Sequence, residues 1–187
     1  YSDDVKKLLS TYKYQDEMDW LVRCPERNNF IKNLALSLNG NTLLLFQYVD
    51  KHGKVLYNML QSEAKDRKVF FVHGGIEGED REEIRRIVEN ERSAIIVASF
   101  GTFSTGVNIK NLHNIIFSSP SKSRVRNLQS IGRGLRKSDG KEVATLYDIV
   151  DDASIKSKKN FSVLHFLERV KIYNEEKFSF KIYNIKF

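Results

Sequence analysis

Arg126, Gln129, Arg133 and Arg136 stand at offsets 0, 3, 7 and 10 within "RNLQSIGRGLR". At 3.6 residues per turn those offsets share one helix face, and Val125, Leu128, Ile131 and Leu135 fall on the other. Arginine donates in a planar fork that suits phosphate, and it stays charged at any cellular pH. Gly132 and Gly134 interrupt the same stretch, each costing about 1 kcal/mol relative to alanine in a helix. Without Cβ atoms they let another backbone, or a nucleotide, come close beside the arginines. Spacing alone equally admits a basic surface helix with glycines near its end.

The other candidate groups lie where apolar runs stop. "TLLLFQYV" (42–49), "KVFFVHGG" (68–75), "SAIIVASF" (93–100), "NIIFSSP" (114–120) and "EVATLYDIV" (142–150) read as short buried strands. Helical patterns separate them at 54–64, with Val55, Met59 and Leu60 as the expected apolar positions, at 81–90 and at 121–136. Strands buried on both faces and alternating with helices predict a mostly parallel sheet with helices on both sides. Ligands of such sheets bind beyond the carboxyl ends of the strands. Here those ends carry His73, Gly74 and Gly75, then Ser99 to Thr102, then Ser118 to Ser121, each stretch small, polar or glycine-containing.

Residues 1–40 read as helical, with Ser2 as an N-cap, Pro25 as a first helical residue and Gly40 as a stop. Towards the end of the chain, "FSVLHFLERVKIY" (161–173) reads as a helix and "FSFKIYNIKF" (178–187) alternates like an edge strand. The expected division is a helical lead-in over 1–40, a compact α/β domain over 41–153 and a basic helix and strand extension over 154–187.

With 187 residues the chain is long enough for one substantial core. Its net charge of +7 favours polyanionic partners. That charge is uneven: residues 120–137 hold six basic side chains and no acid, and residues 154–187 hold eight bases and three acids. Cys24 is the sole cysteine, which excludes an internal disulfide and a cysteine-based metal cluster. No run approaches the ~20 apolar residues of a membrane span, and the polar start shows no signal peptide, so a cytoplasmic location is expected. The first residue, Tyr1 rather than Met, points to a fragment or a processed chain.

Four segments together resemble superfamily 2 helicases. "QSIGRGLR" is similar to motif VI of that family, and "IIVASFGTFSTGVNI" to motif V. "TLLLFQYVDKHGKVLYNML" is similar to motif IV, and "VFFVHGGIEGEDREEI" to segment IVa. They occur in the family's order across residues 42–150, which is more specific than any one of them alone. The resemblance implies the second RecA-like domain of a two-domain motor. It implies that Arg133 and Arg136 are arginine fingers reaching the γ-phosphate of ATP, and that Gln129 couples nucleotide state to domain closure. Gly106 would let the backbone approach the nucleotide, and Asn108 stands where many relatives have Asp near the ribose.

For nucleic acid, the resemblance points first to Ser99 and Thr102, then to His73 and Gly74, and to Gln47 and Lys51. Each has a structural alternative: Ser99 and Thr102 as helix caps, His73 as a satisfied histidine, Phe46 as core. Asp148, Asp151 and Asp152 lack matching metal-ligand partners and read as surface or loop groups, and the basic tail reads equally as a DNA track or as lysines that blunt strand pairing.

No G-x-x-x-x-G-K-[ST] or D-E-x-D box occurs in the chain. ATP and Mg²⁺ would therefore be held mainly by an N-terminal motor domain, and this chain alone is expected not to hydrolyse ATP. The wording of motifs V and VI is closest to phage members of the family, which implies branched DNA (forks, Holliday junctions, R-loops) as substrate, with RNA possible in hybrids. The implied setting is replication, recombination and repair in the host-cell cytoplasm. A competing reading is a nucleic-acid-binding module with a degenerate motor fold. A metabolic nucleotide-binding domain is poorly supported, because no strand–G-x-G-x-x-G–helix unit exists.

Overall fold

A computed structural model describes residues 1–75, 78–104, 111–119 and 144–186. Its centre is a sheet of β1 (Thr42–Phe46), β2 (Val69–Val72), β3 (Ile95–Ser99), β4 (Asn114–Phe117) and β5 (Thr145–Asp148). The order is β2-β3-β1-β4-β5, and every pairing is parallel. The parallel α/β expectation is met, with strands shorter than the apolar runs.

Alternation along β1 builds the two apolar layers. Leu43 and Leu45 face a cluster with Val72, Ile96, Ala98, Ile115 and Phe117. That layer is closed by Ile84 and Val88 of α5 (Gly78–Asn90) and by Val170 and Tyr173 of α7 (Phe161–Glu175). Leu44 and Phe46 face the opposite way, with Ile95, Val97 and Ile116. There they meet Ile31 and Ala35 of α3 (Pro25–Ser37) and Leu56 and Leu60 of α4 (Lys54–Glu63). Successive strand side chains point to opposite faces, so a run with no polar residue is what a sheet covered on both sides requires. In α4 the buried pair is Leu56 and Leu60, whereas Val55, expected on the apolar face, is exposed.

Two shorter helices lead in: α1 (Asp3–Leu9), capped by Ser2 as expected, and α2 (Tyr14–Arg23). Pro25 does open α3, but Gly40 does not end it. The helix stops at Ser37, and Arg67 reaches across from before β2 to cap it. Its Nη1 donates to the carbonyls of Ala35, Leu36 and Leu38 at 3.0–3.2 Å, and its Nε to that of Ser93. Gly40 instead turns the chain into β1 at φ +82°, where a Cβ would stand 2.6 Å from the His113 ring.

Between β1 and α4 the chain makes a π-helical turn, Val49–Gly53, in which the Gly53 N–H donates to the Tyr48 carbonyl at 2.9 Å. The turn directs His52 inwards, and it seats Gly53 where a Cβ would lie 2.6 Å from the Phe46 ring.

The expected edge strand at 178–187 is a correction: residues 178–186 join no strand. Lys177 ends α7 in a left-handed conformation at φ 56°, and Phe178 and Phe180 turn back onto Tyr173. Ile182, Tyr183 and Ile185 are exposed. Alternation needs a covered face to act on, and here the apolar tail has none.

Candidate functional site at the carboxyl end of the sheet

The registers bring the predicted polar positions to one rim. Phe46 is level with Ser99, Val72 with Ala98, Leu45 with Phe117, and Phe117 with Asp148. Gln47, His73, Ser99 and Ser118 therefore follow or close neighbouring strands at the same end of the sheet.

Ser99 ends β3 and caps α6 (Phe100–Ser104). Its Oγ accepts the Thr102 N–H at 3.3 Å and lies 2.7 Å from Thr102 Oγ1. Ser99 is half-buried and Thr102 is buried, so the alternative reading of this pair as a helix cap holds in the geometry. After β2, His73 Nδ1 accepts the Gly75 N–H at 3.1 Å, which leaves the ring proton of the neutral form on Nε2. The ring leans on Phe71 with centroids 5.1 Å apart. Gly74 is exposed, with open space where a side chain would be. Gln47 is half-buried at the exit of β1.

Lys51 is exposed but engaged. It pairs with Asp19 at 2.9 Å and lies over the Tyr48 ring. That bond holds the Asp19 carboxyl below its usual range. A backbone phosphate that recruited Lys51 would displace Asp19. Phe46 is fully buried, as core. Gly106, Asn108, Gln129, Arg133 and Arg136, together with the expected 121–136 helix, lie outside the described residues.

Asp152 is exposed and Asp151 follows β5 in a loop, as expected, but a second correction applies: Asp148 and Asp151 are not surface groups. Asp151 is buried, with Arg27 Nε donating to both of its oxygens at 2.8–2.9 Å and the Tyr1 hydroxyl at 2.6 Å. Asp148 receives Arg169 Nε and Nη2 at 2.8–2.9 Å and the Tyr173 hydroxyl at 2.7 Å. Burial, then the neighbouring carboxylate, pushes the Tyr1 and Tyr173 hydroxyls far up from their usual range. Each acid is thus neutralised by a buried arginine rather than offered to a metal. Among the described residues no group of three or more His, Cys, Asp and Glu is arranged to hold one.

Further polar groups missed in the sequence complete this end. Glu17 of α2 is buried and accepts the N–H groups of Phe161 and Ser162 at 3.1 and 2.9 Å. A carboxylate at those orphan amides is well placed against the positive end of α7. Arg27 Nη2 donates to the Ser118 carbonyl at 2.7 Å. His52 lies within hydrogen-bonding distance of both Asn28 and Ser119. A sequence signal existed only for Glu17 and Arg27, charged residues set among apolar helical positions.

Residues 26–138 match the family described as helicase conserved C-terminal domain. The chain belongs to that family. The helicase C-terminal domain is 34% identical to the "ATP-dependent DNA helicase uvsW" of Enterobacteria phage T4, across 96% of this chain and 38% of that protein. It therefore spans well under half the length of that relative. The crystal structure of T4 UvsW superposes with a TM-score of 0.80 at 33% identity, covering 94% of this chain and 38% of that one. Mss116p DEAD-box helicase domain 2, solved bound to an RNA duplex, matches with a TM-score of 0.53 at 21% identity, over 72% of this chain and 52% of its own. That likeness shows the fold alone, which is the RecA-like fold of superfamily 2 helicase C-terminal domains. No helix among the described residues is long and apolar enough to cross a membrane.

Proposed function

We propose that this chain is the second motor domain of an ATP-dependent DNA helicase or translocase. The supporting observation is the rim itself: segments IV, IVa and V begin on β1, β2 and β3, neighbouring strands of one parallel sheet, in a chain 34% identical to a DNA helicase. The motor domain is read as residues 41–153, with 1–40 as lead-in and 154–187 as a basic extension. Lys156, Lys158, Lys159, Lys177, Lys181 and Lys186 of that extension are exposed, as contacts to a phosphate backbone would need.

In this reading an N-terminal RecA-like domain of the same protein holds ATP and Mg²⁺. Hydrolysis of that nucleotide supplies the free energy for opening and closing the cleft. Arg133 and Arg136 reach across as fingers, Gln129 couples closure to nucleotide state, and Gly106 and Asn108 face the nucleotide. Ser99, Thr102, His73, Gly74, Gln47 and Lys51 serve the nucleic-acid side. Backbone contacts carry no sequence information, so substrate choice follows DNA structure. Branched DNA (forks, Holliday junctions, R-loops) is the substrate class we infer from the motif resemblance, in replication, recombination and repair within the host cytoplasm.

Arg133→Ala or Arg136→Ala in the full-length protein tests this. A finger is worth about 10³–10⁵ in rate in related phosphoryl transfer, so ATPase should fall by that order while DNA binding stays within about twofold. Weakened DNA binding with no ATPase to lose would instead support a non-catalytic binding module. The isolated 187-residue chain should show no DNA-stimulated turnover.

A further inference from the structure

His52 is fully buried and lies within the motif IV-like segment, but it is not among the site residues named above. Its bonds can be given a direction. Asn28 Nδ2 donates to the Val22 carbonyl at 2.9 Å, so Asn28 Oδ1 is the atom that faces His52 Nε2, 3.1 Å away. Nε2 must then carry the proton, and Nδ1 is the acceptor. The Ser119 hydroxyl, 2.8 Å from Nδ1, therefore donates to it. One chain of hydrogen bonds runs from the Ser119 O–H through His52 and Asn28 to the end of α2. Every link is satisfied with the imidazole neutral. Burial and the nearby Arg27 charge keep it so, holding its pKa well below the usual value.

Ser119 follows β4, and the residue before it is also fixed. The Ser118 N–H and Oγ both donate to the Leu45 carbonyl, at 3.0 and 2.7 Å, and the Ser118 carbonyl accepts Arg27 Nη2. Three elements besides β4 (β1, α3 and the π-helical turn) thus hold two consecutive residues. The chain continues directly from Ser119 into residues 120–137, the stretch with six bases and no acid. A backbone needs this many partners when its direction matters, since misplacing a reacting group by about 1 Å can cost 10² in rate.

We infer that His52 is a positioning residue: through the Ser119 hydroxyl it fixes where the chain leaves β4, just before the stretch of sequence that carries Gln129, Arg133 and Arg136. The inference rests on the finger reading of those arginines. His52 touches neither nucleotide nor nucleic acid in this role.

Two variants separate its two bonds. His52→Asn places an amide oxygen near Nδ1 and keeps the Ser119 bond while losing Asn28. His52→Gln reaches the Nε2 position and keeps Asn28 while losing Ser119. Both should lower the melting temperature of the full-length protein. Only His52→Gln should lower the kcat of its ATPase, by at least about tenfold, with KM for ATP and DNA affinity within about twofold. His52→Asn should restore most of that kcat. Ser119→Ala, which removes one hydroxyl and leaves the core intact, should reproduce the His52→Gln loss. The inference is overturned if the two histidine variants have equal kcat, whether both are normal or both reduced, or if Ser119→Ala leaves kcat unchanged. Arg133→Ala in parallel keeps the two readings apart. If it retains ATPase, the finger reading fails. If it is inactive while the histidine variants agree, only the positioning role fails.

Discussion

Removing both charges of the Arg27–Asp151 pair should cost well short of the sum of removing each alone. The two side chains are only 2% and 3% exposed, and Arg27 spends its donors on both Asp151 oxygens and on the Ser118 carbonyl. Asp151→Asn preserves shape and one acceptor but strands a guanidinium in the interior. Breaking a buried pair in this way costs about 3–5 kcal/mol, a large share of the roughly 5–15 kcal/mol that holds a domain together. Arg27→Met strands the carboxylate instead and should cost about as much. The double variant Arg27→Met/Asp151→Leu buries no charge. It loses the partners of the Tyr1 hydroxyl and the Ser118 carbonyl, at about 1–3 kcal/mol each, and regains apolar packing. Its total should fall short of the summed singles by at least about 2 kcal/mol. Urea unfolding of the four proteins, read at constant m-value, measures this coupling. A single-variant cost below about 1 kcal/mol, the range of exposed pairs, or strict additivity would refute the reasoning.

Acid sensitivity should trace in part to His52. Its folded pKa lies well below the unfolded value near 6.5, so below that pH the unfolded chain binds a proton that the folded chain refuses. The contribution to stability is intact above about pH 6.5 and falls by about 1.4 kcal/mol per unit as pH drops below it. Denaturant midpoints between pH 7 and 5 should show a steeper loss in the native protein than in His52→Gln, and equal slopes would contradict the assignment. Gly53→Ala drives a methyl to 2.6 Å from the Phe46 ring in a packed layer, so it should destabilise by about 1–3 kcal/mol in thermal melts. An unchanged melting temperature would show that the ring can yield.

What the sequence makes legible follows from range. Leu43 to Phe46 is an unbroken apolar run, and a run with no polar face has no stable place except between two covered faces. The alternation of strands with helices and the polar or glycine-containing strand ends follow from the same local reading, and they suffice to predict a rim; the order of the strands in the sheet does not follow from it. The ties that fix the rim are not local. Arg27 and Asp151 lie 124 residues apart, and Glu17 and Ser162 lie 145 apart. His52 sits in "VDKHGK", which reads as polar loop, because a single π-helical turn has no periodicity to detect. The tail from Phe178 fails for the opposite reason: its alternation is real, but alternation specifies a strand only when a ladder and a covered face are available.

The polar ties also explain why this end of the sheet is not simply more core. At the carboxyl rim the apolar layers stop; under the proposed function, backbone N–H groups and hydroxyls there stay accessible to a phosphate-bearing partner. Apolar packing cannot fix a chain segment whose outer side faces solvent or ligand. Directed bonds from beneath can. Arg27, His52, Glu17 and Arg169 do this from four elements, and the Asp148 and Asp151 carboxylates, both at the exit of β5, anchor two of them. Such pairs add little net stability compared with apolar replacements of the same volume. Arg27 Nη1 and Arg169 Nη1 even lack a partner among the described residues, a cost that an apolar core would not carry. What the arrangement supplies is direction: each bond holds one backbone group or side chain at one angle. If Arg133 and Arg136 act as the proposed fingers, the energetic return lies in the transition state, where stabilisation of several kcal/mol would exceed what the ties cost in the ground state.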